Sequence, residues 1–155
     1  MAIEYALVFL LGLLPLLLLT FSGVLIFAAK QSLTLAAANG ARAALHYGTA
    51  AQRGLYACAA AEQSMQWLFS FSDTGGGTSA GCSSSGMSNA VASIAVSAPG
   101  TCAGAAPAGV ECLTVTASYD YDSHPFLPGT ASLYRWTMGR PIASSATIQI
   151  DTQGD

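Results

Sequence analysis

Apolar residues are spread unevenly along this chain. From Tyr5 to Ala29 the sequence carries no charged residue, and Glu4 stands immediately before the run. These 25 residues, at roughly 1.5 Å each, make a helix of about 37 Å, enough to cross a hydrocarbon core of about 30 Å with some tilt. A secretion leader needs a basic start and an apolar core of about 7 to 15 residues, so the run reads as a spanning or assembly helix. Gly12 and Pro15 fall within one turn of each other. Pro15 brings no N–H, and its ring meets the carbonyl four residues earlier, which predicts a kink or an unwound stretch between Gly12 and Leu16. Beyond Lys30 the chain is rich in alanine, the best helix former, and has no further proline until Pro99. The expectation is one continuous helix to about Phe69, apolar over residues 1–29 and amphipathic over 30–70. Within its second part Ala36, Gly40, Ala44 and Gly48 recur every four residues, a strip of small side chains that lets another helix approach closely.

The pattern changes after Phe71. SDTGGGTSAGCSSSGMSN is Gly/Ser-rich and cannot bury a core of its own, so it reads as a surface loop tethered at Cys82. Three strand candidates follow, Ala90 to Ser97, Cys112 to Tyr121 and Ser144 to Ile150, each alternating or enriched in β-branched residues. APGTCAGAAPAGVE between the first two suits a hairpin. Ser123 to Pro141, with Pro125, Pro128, Gly129 and Gly139, reads as an irregular excursion. The fold class expected is α+β: a long N-terminal helix, kinked near Pro15, with a small antiparallel sheet packed on its C-terminal half. Residues 71–155 form a globular domain whose core draws on the amphipathic part of the helix.

Composition narrows the function. Only 8% of residues are charged, against about 25% in an ordinary soluble domain. The first 56 residues set Glu4 against Lys30, Arg42 and Arg53, whereas the remainder sets two arginines against seven carboxylates, for a net charge of −3. That balance excludes a nucleic-acid binder working through a broad basic patch. The four cysteines, Cys58, Cys82, Cys102 and Cys112, all follow the apolar run, and their spacing has no CxxC pair. An even number in a short domain points to export and disulfides rather than to zinc. Three connectivities are open, and Cys58 with Cys82 and Cys102 with Cys112 close the most local loops. Positive charge normally flanks a span on its cytoplasmic side, yet none precedes this one and Lys30 follows it. Either the domain faces the cytoplasm or a basic leader has been removed, and the cysteines favour removal.

Residues that could carry chemistry are sparse. Asp120, Asp122 and His124, if on a strand, would share a face as a metal-ligand set, but Pro125 ends the strand, and acidic residues at an exposed edge serve solubility. GGGTSAG at Gly75 to Gly81 lacks the lysine of a phosphate-binding loop, and no motif sets a serine or cysteine nucleophile beside His46 or His124. No enzyme, metal or cofactor is expected. Tyr119, Tyr121, Phe126, Tyr134 and Trp136 could form an adhesive aromatic surface, although core packing is their commoner use.

The long helix with an early glutamate and a small C-terminal sheet resembles a type IV pilin. IEYALVFLLGLLPLLLL at Ile3 to Leu19 and LAAANGARAALHYG at Leu35 to Gly48 resemble the Tad/Flp branch, particularly its TadE-like pilins and pseudopilins. LTVTASYDYDSHPFLPG followed by RPIASSATIQI resembles that family's strand, proline-bearing loop and final strand. The resemblance covers most of the chain but not the Gly/Ser loop or the cysteine placement. It implies a prepilin peptidase that cuts ahead of the apolar run, removing a basic leader. It also implies that Glu4 neutralises the new α-amine of its own or a neighbouring chain; the family's glutamate is usually fifth, and here it is fourth. The function implied is a structural subunit, polymerising through its N-terminal helix into a homopolymeric Tad-like pilus. Such a subunit waits in the inner membrane, is lifted out by the pilus assembly machinery, and ends in an extracellular filament of the kind used in cell adhesion. Two alternatives stand beside it: a minor TadE-like pseudopilin that primes or caps assembly, and a single-pass anchor for an extracytoplasmic binding domain.

Overall fold

The computed structural model describes residues 2–71, 81–89, 91–104 and 109–151. Helix runs without a break from α1 (Ala2–Val8) through a π-helical turn (Phe9–Leu13) into α2 (Leu14–Ala43). The interruption expected at Gly12 to Leu16 therefore begins one turn earlier. Its cause is steric: the Pro15 ring displaces the carbonyl four residues before it, and widening to π geometry gives the freed groups new partners, with the Leu14 N–H donating to the Phe9 carbonyl.

The helix does not continue to Phe69. It ends at Ala43, and α3 (Ala50–Phe71) runs back antiparallel along α2. The turn has local causes that outweigh alanine's preference for helix. Gly48 adopts a φ of +153°, and Thr49 and Gln52 form a reciprocal cap: the Thr49 N–H donates to Gln52 Oε1 at 3.0 Å and the Gln52 N–H to Thr49 Oγ1 at 3.4 Å. A polar seam fixes the register of the two helices. Ser32 Oγ donates to the Ser64 carbonyl at 3.0 Å, Trp67 Nε1 to Ser32 Oγ at 2.7 Å and Asn39 Nδ2 to Ser64 Oγ at 3.0 Å.

One five-stranded antiparallel sheet covers this hairpin: β1 (Gly86–Ser88), β2 (Ala92–Val96), β3 (Gly100–Thr101), β4 (Val110–Tyr119) and β5 (Ile142–Asp151). β4 is central. It pairs along its whole length with β5, while β2 and then β3 share its other edge and β1 flanks β2. The period-2 pattern decides the faces. Leu113, Val115, Ala117 and Tyr119 alternate inward on β4, beside Ala92, Ile94 and Val96 of β2 and Ile142 and Ile150 of β5, and meet Leu33, Ala36, Ala37, Ala57, Ala61, Met65 and Leu68 from the helices. The outer face carries hydroxyls, joined across strands by Ser93 with Ser118 at 2.7 Å and Thr114 with Thr147 at 2.8 Å. The excursion after β4 contains a short helix, α4 (Ala131–Thr137).

Disulfides join Cys58 to Cys82 and Cys102 to Cys112. The first ties the chain ahead of β1 to α3, and the second closes the hairpin between β3 and β4. The centre of the Gly/Ser-rich segment, residues 72–80, lies outside the described residues, as do 105–108.

Candidate anchoring and assembly site

The folded domain grips only part of its long helix. Ile3, Tyr5, Leu11, Leu16, Leu19 and Phe21 are each more than 60% exposed, and the first buried side chain along the helix is Ser22. From Glu4 to Ser22 the helix rises about 27 Å, close to the thickness of a bilayer's hydrocarbon core. An apolar surface of this extent without cover in its own chain is an anchoring or assembly surface. By length and composition this N-terminal helix can cross a membrane. Its one aliphatic hydroxyl within the uncovered stretch is satisfied internally, Thr20 Oγ1 donating to the Leu17 carbonyl at 2.8 Å, as an apolar surrounding requires.

Glu4 lies exposed in the first turn of α1. A helix N-terminus favours a carboxylate there. Among the described residues no cation pairs with it, so once desolvated it requires a partner from beyond this helix. Gly12 is likewise open, with nothing within 4 Å of the position a Cβ would occupy.

The helix that approaches the small-residue strip belongs to the same chain. Ala36, Gly40 and Ala44 are buried inside the chain. A Cβ on Gly40 would stand 2.9 Å from the Ala57 carbonyl oxygen, 3.0 Å from Val115 Cγ1 and 3.2 Å from Ala61 Cβ. The strip brings α2 against α3 and β4 and is not offered to another molecule, while Gly48 belongs to the turn between the helices.

Where the domain meets the emerging helix, aromatic rings gather. Phe126 stacks on Tyr119 at 5.2 Å and on Trp67 at 6.5 Å, and Tyr121 lies 4.7 Å from Tyr134. Four of the five aromatics considered for an adhesive surface thus pack together. Trp136 is the exception, at 85% exposed. Polar tips of the cluster find partners: Tyr119 Oη donates to the His124 carbonyl at 2.7 Å and Tyr134 Oη to the Arg140 carbonyl at 2.9 Å, while Tyr121 Oη lies 2.8 Å from Thr130 Oγ1 and 3.4 Å from Ser22 Oγ on α2. Burial, helped by Tyr121 and Asp120, pushes the Tyr119 hydroxyl up to about 12. Burial raises Tyr134 in the same direction.

Asp120, Asp122 and His124 do not form a ligand set. β4 ends at Tyr119, the Asp120 carboxylate turns back to accept the Ser123 N–H and is held below the usual range by hydrogen bonding from Ser123, and Asp122 pairs with Arg135 at 2.8 Å. Among the described residues no three His, Cys, Asp or Glu side chains gather as metal ligands.

Two features of this region escape a reading of the sequence. α4 lies in a stretch dominated by turn residues, and Ser22, the first buried position, sits inside a uniformly apolar run. Serine in such a run was the available signal for the depth at which the domain begins. No family model, no curated protein and no solved structure matches the chain.

Proposed function

We propose that this chain is a structural subunit of a Tad-like type IV pilus, held in the inner membrane by its N-terminal helix and then polymerised through that helix into an extracellular filament. The observation that supports this most is the uncovered apolar surface from Ile3 to Phe21, headed by Glu4 and projecting from a domain that two disulfides close. In the membrane, lipid covers that surface. In the filament, copies of the same helix do so, and a heterologous contact that does not close on itself propagates. Glu4 then meets the α-amine of a neighbouring chain, a pairing that offsets the cost of removing a carboxylate from water. The π-helical turn at Phe9–Leu13 gives the segment a place to adjust as it passes from lipid to protein surroundings. Because Ala36, Gly40 and Ala44 are already used within the chain, the contacts between subunits belong to the first two dozen residues.

Glu4→Ala tests the proposal. In cells that make pili from this chain, the variant should accumulate in the membrane to the wild-type level while sheared filaments fall at least tenfold. Unchanged filament yield would remove Glu4 from assembly. A second replacement, exchanging Tyr5 to Phe21 for an unrelated spanning sequence, distinguishes a subunit from a plain anchor, because an anchored binding domain would keep its function and a filament subunit would lose it.

A further inference from the structure

Between α4 and α2 runs an apolar groove of about 330 Å³, bounded by Leu19, Gly23 and Ile26 on one side and by Thr130, Tyr134 and Thr137 on the other. Its level along the helix is informative. From Ile3 to Gly23 the helix rises about 30 Å, one hydrocarbon thickness, so a helix that begins at one membrane boundary reaches the other beside α4. Trp136 is 85% exposed and Met138 66% exposed, in a domain whose sheet otherwise presents serine and threonine to solvent. Charge is arranged to match. From Ser123 to Ile150 the chain carries Arg135 and Arg140 and no Asp or Glu, although the domain as a whole is acidic; Arg135 is already paired with Asp122, which leaves Arg140 as the cation this surface offers to an anion. Tryptophan beside arginine suits the boundary between hydrocarbon and phospholipid headgroups, where the indole spans the polarity gradient and the guanidinium reaches phosphate.

We propose that α4 and the residues that follow it rest on the bilayer surface before assembly, with Trp136 and Met138 entering the headgroup boundary and Arg140 meeting lipid phosphate. The folded domain thereby sets the depth of the spanning helix. This contact rests on the reading of the N-terminal helix as membrane-spanning. A phospholipid surface is the occupant favoured here because α4 borders the groove against Leu19, Gly23 and Ile26 of α2, at the depth where the uncovered apolar face of that helix leaves the membrane. Ser22 and Tyr121, 3.4 Å apart, tie this depth to the domain core.

The test uses the full chain reconstituted in phosphatidylcholine and phosphatidylglycerol vesicles containing lipids brominated at shallow or deep acyl positions. Subtracting the fluorescence of Trp136→Phe from that of the wild type isolates Trp136, since Trp67 remains in both. Trp136 is exposed, so its loss does not threaten the fold. At least twofold quenching of the difference signal by shallow bromines is expected, with less by deep ones and little by aqueous iodide. A signal indifferent to bromine overturns the proposal: open to iodide, it places Trp136 in water, and shielded from iodide, it places Trp136 against a second copy or another protein. Alkaline extraction of the same vesicles reads the spanning helix by itself. Retained protein with unquenched Trp136 defeats only the surface contact, whereas extracted protein defeats the spanning reading and the contact together.

Discussion

Gly40 offers a direct test of the helical hairpin. Glycine in a helix interior is ordinarily a weak point, and exchanging it for alanine gains up to about 1 kcal/mol. Here the opposing helix stands too close: the position a Cβ would take is 2.9 Å from a backbone oxygen of α3, 3.0 Å from Val115 and 3.2 Å from Ala61, against ordinary contacts of about 3.5 to 4.0 Å. Alanine therefore forces α2 and α3 apart by several tenths of an ångström. Overpacking of this kind costs about 1 to 3 kcal/mol, which cancels the gain or exceeds it. Valine adds two methyl groups at the same point with little of alanine's helix preference, so Gly40→Val should lose about 3 kcal/mol. For a chain of this length that corresponds to a fall of roughly 10 °C in the unfolding midpoint. Circular dichroism of the oxidised protein in detergent reads the midpoint. Gly23→Ala, on the same helix with nothing within 4 Å of the new methyl, is the control and should not lower it. A single straight helix would leave residue 40 some 25 Å from residue 57 and free of any clash. A wild-type midpoint for Gly40→Val would therefore refute the hairpin.

Two further outcomes follow from the domain's interior. Tyr119 keeps its proton in the folded chain to about pH 12 but loses it near 10 when unfolded, so its contribution is complete below pH 10 and drains away between 10 and 12, at about 1.4 kcal/mol per pH unit. Urea midpoints should fall from pH 9 to pH 11, more gently in Tyr119→Phe, and equal midpoints in the wild type would contradict the burial of that hydroxyl. Removing the Cys58–Cys82 bond, whose partners lie 24 residues apart, with a paired Cys58→Ala and Cys82→Ala exchange should cost about 3 kcal/mol by loop-closure entropy; an unchanged midpoint would mean that this bond does not constrain the unfolded chain.

Period and composition made much of the fold legible. The charge-free run marks the uncovered helix, and the alternation in CLTVTASY and SSATIQI marks β4 and β5, since each has one face on the helices and one in solvent. β1 and β3, at three and two residues, are too short for any period to register. The hairpin between α2 and α3 was hidden for a different reason. Alanine's helix preference runs through both helices, and the stop is carried by Gly48 with Thr49-Ala-Ala-Gln52, a capping pattern that a composition reading passes over. The same turn decides what the small-residue strip meets: in a straight helix Gly40 faces outward, whereas folding back gives it α3. Glu4 was legible as a lone carboxylate at the head of an apolar run, and among the described residues no cation pairs with it. The depth at which the domain grips the helix needed the structure, because it depends on Tyr121 reaching Ser22 across 99 positions of sequence.

The filament itself is the most direct measurement. Cells producing this chain would be sheared, the released material viewed by electron microscopy, and its main polypeptide and N-terminal residue identified by mass spectrometry. A structural subunit requires thin filaments composed chiefly of this chain, beginning ahead of Glu4 with a free α-amine. Complete retention of the chain in the membrane fraction, or filaments containing only traces of it, would contradict that role.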